Sequence, residues 1–249
     1  MIDFHSHVLP KLDDGAKDAE TSLQMLEESK RQGVTTIVCT PHYYGKKRSP
    51  EQFIQKRKEC FDLIKDQIPQ GLEIRLGAEV FFSHNMSASN EELSLLCIEG
   101  TRYIMIELPF SQKFDPRLFN RLESLIAETD CVPIIAHIDR YPAVLKDPLI
   151  AKRLMDIGCL LQVNAEAFIF RRVRSFAYTL LKKGMIHALG TDMHNMEDRA
   201  PNMLECKKQL AHFPSNFVEN LEQTQTAILA DEEIVFEGKP IHKLFGKYF

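Results

Sequence analysis

Short apolar runs rich in β-branched residues alternate along this chain with longer stretches in which hydrophobic side chains recur every three or four positions. That is the pattern of parallel strands joined by crossover helices. It predicts strands over residues 2–5, 35–39, 73–78, 103–107, 133–137, 160–164 and 186–190. Helices are predicted over 19–32, 50–67, 116–129, 148–157, 174–183 and, after the last strand, 201–212. In the first helix Leu23, Met25 and Leu26 supply the apolar face, Asp18 the N-cap and Gly33 the stop, while Gly158 and Gly184 close later helices in the same way. The tail from 215 to 249 reads as a packing helix followed by an irregular end anchored by Phe236, Phe245 and Phe249. With no linker, repeat or low-complexity tract in between, residues 1–249 are expected to form one α/β domain, a closed or nearly closed barrel of seven strand–helix units.

In such barrels the chemistry gathers at the C-terminal ends of the strands, and there the polar residues fall. Strand one ends at His5 and His7, strand two at His42, strand three at Glu79, strand four at Glu107, strand five at His137 and the last at Asp192 and His194. Residues two apart on a strand share a face, so His5 and His7 can grip one ion. Any one of these is unremarkable as a loop residue; six strands of seven ending in a potential ligand are not. Asp14, in the first βα loop, adds another candidate, whereas Asp13 reads as a turn residue ahead of the Asp18 cap. Of the other histidines, His84, His187, His212 and His242 read as structural or surface residues, His187 completing a hydrogen bond within its strand.

Composition narrows the picture without changing it. A hydrophobic fraction of 44% against 27% charged residues is that of an ordinary globular protein with a sizeable core. The net charge of −4 offers no general attraction to nucleic acid or an anionic membrane. Six scattered cysteines form no C-x-x-C pair, so no zinc knuckle or redox motif is expected and the thiols are expected to be reduced. The chain enters its first strand without a signal segment, and no apolar run approaches the ~20 residues of a membrane span. A cytoplasmic location is the resulting expectation, with no direct membrane insertion.

Nine nitrogen and oxygen ligands with no thiolate exceed what one ion can use and fit a cluster of two or three divalent cations. Mixed imidazole and carboxylate ligation suits Mn, Fe or Zn. Clustered cations acidify water and clamp the oxygens of an in-line displacement, so hydrolysis of a phosphoester is the expected reaction. Arg140 and Arg199, shortly after His137 and His194, have the fork geometry for phosphoryl oxygens. Among the aromatic residues near the ligands (Tyr43, Tyr44, Phe81, Phe82, Phe110, Tyr141 and Phe168) some could hold a flat substrate ring. No cysteine is followed by arginine six residues on, which excludes the spacing of a thiol-phosphate mechanism.

The segments His5-Ser6-His7, Asp13-Asp14-Gly15-Ala16-Lys17-Asp18, Thr40-Pro41-His42, Gly77-Ala78-Glu79, Glu107-Leu108-Pro109, His137-Ile138-Asp139-Arg140-Tyr141 and Thr191-Asp192-Met193-His194 resemble the polymerase-and-histidinol-phosphatase (PHP) superfamily. Within it they are most similar to the bacterial protein-tyrosine phosphatases encoded with capsular and exopolysaccharide genes. The resemblance implies a distorted (β/α)7 barrel, a trinuclear site usually associated with manganese, and hydrolysis of phosphotyrosine on the tail of a tyrosine autokinase. It implies that His5, His7, Glu79 and Asp192 hold one ion, that Glu79 bridges to a second supported by Glu107 and His137, and that Asp14, His42 and His194 hold a third. Arg140, Arg199 and Asp14 are the catalytic residues it implies. The segment 166–174, with Arg171, Arg172 and Arg174, is bulkier and more basic than the family pattern. It reads as a solvated start of the crossover helix or as a recruiting surface for an acidic or phosphorylated tail. Two rival functions stay open at this level: a phosphatase of small monoesters such as histidinol phosphate, and a non-catalytic PHP-type binding module. Sequence singles out neither a monomer nor a homo-oligomer.

Overall fold

The computed structural model describes residues 1–82, 90–111 and 113–235, together with the backbone of Lys243–Leu244 and Lys247–Tyr248. Phe236, Phe245 and Phe249, and likewise His84 and His242, lie outside the described residues. In chain order the elements are β1 (Ile2–Ser6), α1 (Ala19–Arg31), β2 (Thr36–Cys39), β3 (His42–Tyr43), α2 (Pro50–Asp62), β4 (Glu73–Leu76), β5 (Glu79–Phe81), α3 (Asn90–Ser94), β6 (Tyr103–Glu107), α4 (Pro116–Glu128) and β7 (Val132–Ile135). There follow α5 (Pro142–Lys146), α6 (Leu149–Asp156), β8 (Leu160–Asn164), α7 (Glu166–Ile169), α8 (Arg171–Lys182), β9 (Ala188–Gly190), α9 (Met203–Leu210) and α10 (Ser215–Leu229).

The ladders β1–β2–β4 and β3–β5–β6–β7–β8–β9 are parallel throughout. β2 and β3 are two pieces of one stave and β4 and β5 of the next. The first break falls at Thr40–Pro41, where proline has no N–H to give the ladder. Hydrogen bonds carry the sheet across both breaks: Gly77 N–H to the Cys39 carbonyl at 2.8 Å and Glu79 N–H to the Pro41 carbonyl at 3.0 Å. The staves thus follow one another in chain order around a distorted (β/α)7 barrel, as the alternating pattern predicts.

Closure between the last stave and the first is narrow. It rests on His7 N–H to the Met193 carbonyl at 2.9 Å, Asp192 N–H to the His5 carbonyl at 2.8 Å and a bridge between Ser6 and Met193. The Asp3 carboxylate adds two bonds, accepting from the Thr191 N–H at 2.8 Å and hydroxyl at 2.6 Å. Only a residue without a side chain fits at this seam, because a Cβ on Gly190 would lie 2.4 Å from His5 Cβ and 2.6 Å from its backbone nitrogen. The register between β1 and β2 slips between Asp3 and Ser6, a bulge that lets both Phe4 and His5 face inward.

Two layers of apolar packing hold the staves. The larger lies between sheet and helices and includes Met25, Leu26, Ile37, Phe53, Phe119, Leu161, Val163 and Leu180. The smaller fills the barrel itself with Phe4, Val38, Met105, Ile134, Leu160 and Ala188, and Ile228 of α10 closes its floor. Helix starts follow local chemistry: Asp18 accepts from the Thr21 N–H at 2.8 Å, Ser49 and Gln52 form a reciprocal capping box, and Asp115 caps α4 with Pro116 in its first turn. Gly33, Gly158 and Gly184 follow helix ends with positive φ, as read from sequence. The predicted helix over 50–67 ends instead at Asp62 and continues as a separate 3-10 turn at Lys65–Gln67. The crossover helix begins at Arg171 rather than Arg174, with Arg171 and Arg172 exposed on its first turn.

Replacing Gly190 by alanine drives a methyl group into the β1 backbone and is expected to cost about 3 kcal/mol or more, read as a lower urea midpoint; an unchanged midpoint would contradict the seam geometry. His187 is buried with its Nδ1 accepting the Leu161 N–H at 3.0 Å, and burial pushes its pKa down to about 4. The unfolded chain binds that proton near pH 6.5, so the stability contribution is whole above pH 6.5 and is lost as pH falls towards 4. Between pH 7 and pH 5 the chelator-treated protein should therefore lose about 2 kcal/mol more in urea titrations than its His187→Gln variant.

Candidate metal centre

Seven staves bring their C-terminal ends to one mouth, and the backbone there is bent to aim side chains into it. His137 and Asp192 both sit in the left-handed region, with φ of 32° and 54°, directly after β7 and near the end of β9. For residues other than glycine this costs on the order of 1–2 kcal/mol each, and it is held by Asp192 N–H bonding His5 and by His137 N–H bonding the Gln162 amide oxygen at 2.5 Å. At the first βα loop a Cβ on Gly15 would meet the His7 carbonyl oxygen at 2.0 Å, so glycine lets Asp13 and Asp14 close over His7.

All nine residues read from sequence as ligands meet at this mouth. His5 Nε2 and His7 Nε2 lie 3.1 Å apart. Glu79 Oε2 is 3.4 and 3.3 Å from them, and Asp192 Oδ1 is 3.6 and 3.4 Å from them. A tetrahedral ion with bonds of about 2.0–2.1 Å requires ligand atoms roughly 3.3 Å apart, and each of the two carboxylate oxygens stands at about that distance from both ring nitrogens, the spacing of a cage for an ion. Two ring nitrogens at 3.1 Å crowd any protons they carry, which makes a shared cation the natural partner for their lone pairs. The other Glu79 oxygen, Oε1, is 2.8 Å from His137 Nε2, and Glu107 Oε1 is 3.8 Å from the same nitrogen. His42 faces both ways: Nδ1 is 2.9 Å from Glu79 Oε2 and 3.9 Å from Glu107 Oε2, while Nε2 is 3.5 Å from Asp14 Oδ1. His194 Nε2, buried and without a hydrogen-bond partner among the described residues, lies 3.6 Å from Asp14 Oδ1. The ligand atoms cluster as His5, His7 and Asp192; His42, Glu79 and Glu107; and His7, Asp14, His42 and His194. Set beside the division implied by resemblance, this grouping puts Glu79 with His42 and Glu107, leaves His137 outside the three groups, and has His7 and His42 each in two.

Asp192 divides its two oxygens between two tasks. Oδ1 faces the His5–His7 cage, while Oδ2 accepts from Arg140 Nη1 at 3.0 Å, Arg199 Nη2 at 2.7 Å and Asn164 Nδ2 at 3.1 Å. Both guanidinium groups remain partly exposed at the mouth. The arrangement sets a cationic fork one carboxylate away from a cage for divalent ions, which suits a substrate with a phosphoryl group.

The family described as "Capsular polysaccharide synthesis, CpsB/CapC" matches residues 1–235. The chain belongs to the CpsB/CapC family. It is 33% identical over 214 residues to the tyrosine-protein phosphatase CpsB of Streptococcus pneumoniae, covering 82% of this chain and 86% of that one. To the tyrosine-protein phosphatase YwqE of Bacillus subtilis it is 29% identical, covering 99% of each. Among solved structures it superposes with a TM-score of 0.80 and 25% identity, over 98% of this chain and 100% of the other, on one reported for YwqE and CpsB as "unique metal-dependent tyrosine phosphatases". An organophosphorus hydrolase variant, 16% identical with a TM-score of 0.53, shares the fold alone.

Electrostatics in this CpsB/CapC member fit a cationic occupant. Burial opposes charge on His5, but the Glu79 and Asp192 carboxylates outweigh it and raise its pKa; Asp13 and Glu79 do the same, more strongly, for His7. Burial likewise opposes ionisation of Glu79, and the facing His5, His137 and His42 overcome it, holding Glu79 well below the usual carboxylate range. Glu107 is pushed up to about 7 by burial and by the Glu79 charge, and His194 down to about 4 by burial and by His7. Protons on the imidazoles thus stand where divalent cations would stabilise the same carboxylates.

Three supporting residues escape a reading of sequence. Asp13 is not merely a turn residue: its Oδ2 accepts from His7 Nδ1 at 2.7 Å and from the His42 N–H at 2.8 Å, fixing the ring whose Nε2 faces the cage. The other two come from β8, the stave without a candidate ligand. Gln162 Oε1 is 3.1 Å from His5 Nδ1 and also accepts the His137 N–H, Gln162 Nε2 donates to Asn164 Oδ1 at 2.9 Å, and Asn164 holds Asp192. Polar residues two apart in the buried run Leu160-Leu161-Gln162-Val163-Asn164 are the signal that could have found them. Of the aromatic residues, Tyr43, Phe82, Tyr141 and Phe168 are buried, whereas Tyr44 and Phe81 are partly exposed and Phe110 is 42% exposed.

Asp13→Asn removes the negative partner of His7 and should lower affinity for Mn²⁺ about 10- to 100-fold in competition with a chromophoric chelator. In the unaltered protein the same assay should show affinity rising from pH 6 to pH 8, because His5 and His7 keep their protons above the ordinary histidine range and must shed them to bind. The gain is up to about tenfold per pH unit for each proton displaced, and an affinity independent of pH would contradict this account.

Proposed function

We propose that this chain is a metal-dependent protein-tyrosine phosphatase, a single catalytic domain acting on the phosphorylated tail of a bacterial tyrosine autokinase that controls capsular or exopolysaccharide synthesis. The observation that carries the reading is Asp192, with one oxygen in the imidazole cage and the other gripped by Arg140 and Arg199. The names of the CpsB and YwqE relatives favour phosphotyrosine as the substrate group.

His5, His7, Asp14, His42, Glu79, Glu107, His137, Asp192 and His194 are the ligands of two or three divalent ions in this proposal, with manganese preferred over iron or zinc. Such ions, when bound, supply Lewis-acid stabilisation of phosphoryl oxygens and acidify water. The remaining work falls to the chain. Arg140 and Arg199 turn from Asp192 Oδ2 to the phosphoryl oxygens, holding phosphorus over the mouth and balancing charge that builds in the transition state. Asp14, largely exposed beside His42 and His194, is assigned the task of helping to position the nucleophile, and its nearness to those two rings supports this. A phenolate departs readily, so the tyrosine oxygen needs no strong proton donor.

The rim favours an aromatic ester. Phe110 lies 5.5 Å from the His137 ring with 26° between planes, and the Arg140 guanidinium is 4.9 Å from the Phe110 ring centroid. Its exposed face forms an apolar wall beside the phosphoryl fork, suited to stacking on a phenyl ring. A small monoester such as histidinol phosphate remains the rival substrate, since it would use the same ions and arginines.

The deciding assay is kcat/KM for a phosphotyrosyl peptide and for histidinol phosphate, using manganese-loaded enzyme with an EDTA control. A preference of about 100-fold for the peptide, abolished by EDTA, is expected, and Arg199→Ala should reduce peptide turnover by roughly 100-fold or more. Preference for histidinol phosphate, or full activity in EDTA, would overturn the proposal.

A further inference from the structure

Next to the mouth, a cavity of about 310 Å³ runs outward from Asp13, Asp14 and His42 along Tyr43, Tyr44 and Phe53 to Lys47 and Arg48. Its outer end is cationic. Lys46, Lys47 and Arg48 are consecutive and exposed, in a chain whose net charge is −4. None of the ion pairs among the described residues involves any of the three. The nearby Glu51 accepts instead from the Ser49 hydroxyl at 2.6 Å.

The loop that carries these cations is held at both ends. Lys47 N–H donates to the Tyr44 carbonyl at 2.8 Å, Tyr43 Oη donates to the Arg48 carbonyl at 3.2 Å, and Ser49 is fixed by the capping box of α2. The Lys47 ammonium lies 4.7 Å from the centroid of the Tyr44 ring, and that ring is 5.4 Å from His42. One partly exposed aromatic side chain therefore connects the reaction centre to the basic rim. The inner carboxylates, Asp13 and Asp14, belong to the ligand end of the cavity and leave the outer end to an anion.

We propose that Lys47 and Arg48 form a subsite for an anionic side chain flanking the phosphotyrosine of the substrate, either a carboxylate or a second phosphoryl group. This rests on the phosphatase reading above and specifies which peptides the enzyme takes. An extended peptide advances about 3.3–3.6 Å per residue, so a side chain one to three positions from the reacting tyrosine spans such a cavity. The subsite contributes through ion pairing at an exposed rim, so its effect is modest, sensitive to salt and directed at KM.

Manganese-loaded enzyme is tested on three phosphotyrosyl peptides matched except at the flanking positions, which carry Glu, a second phosphotyrosine or Lys. The unaltered enzyme should favour each anionic peptide over the lysine peptide by about fivefold in kcat/KM, mostly through KM. The double charge reversal Lys47→Glu with Arg48→Glu should invert that order in favour of the lysine peptide, a gain that misfolding cannot produce. Preference for only one of the two anionic peptides would assign the subsite to that anion. Equal use of all three peptides by the unaltered enzyme, or the same preference in the doubly reversed variant, overturns the subsite alone. Hydrolysis of none of them overturns the phosphatase reading and the subsite with it.

Discussion

The seam between the last stave and the first governs everything built at the mouth. A few backbone bonds and the Asp3–Thr191 grip join the first stave to the last, and across this joint His5 and His7 meet Asp192 and His194. Parallel staves have no hairpin to set their register, so among contacts between staves the closing one has the longest sequence separation and the greatest loop-closure cost. Gly190 keeps the two backbones close enough for the His5 and His7 ring nitrogens, 3.1 Å apart, to stand 3.3–3.6 Å from the Glu79 and Asp192 oxygens. A wider seam would keep the residues and lose the cage.

That closeness has an electrostatic price. Several carboxylates and imidazoles are withdrawn from water within a few ångströms of one another, where an unpaired charge is strongly unfavourable. Within the protein the partners are one another: the His5 and His7 rings face Glu79 and Asp192, and the two arginines face the outer oxygen of Asp192. Cations at the cages would relieve the first group, and a bound phosphoryl group would draw the arginines from Asp192. In the function proposed above, the same carboxylate would couple the state of the cages to the readiness of the fork.

Much of the fold was legible because its staves are apolar, β-branched and separated by capped helices whose stops are glycines with positive φ. The breaks at Pro41 and Gly77 were not, since each stave reads as one run while the ladder alone reveals two pieces. Short helices such as α5 and α7 lack a full window of periodicity, and α8 starts earlier than predicted because Arg171 and Arg172 oppose the usual acidic preference of a helix N-terminus. The nine candidate ligands were visible because their positions repeat after strand upon strand. Asp13 was not, because the Asp-Asp-Gly run carries an ordinary turn signal, and only the fold shows that His7 and His42 both reach back to it.

The β8 stave offers no ligand, yet Gln162 uses one amide oxygen for both His5 and His137 and passes its other end through Asn164 to Asp192. An amide plane is rigid, so a shift at one of these three residues disturbs the hydrogen bonds that hold the other two. The histidines of separate cages and the carboxylate beneath the arginines behave as parts of one mechanical linkage. The stave without a candidate ligand is therefore the one through which a single altered side chain would be felt across the whole centre.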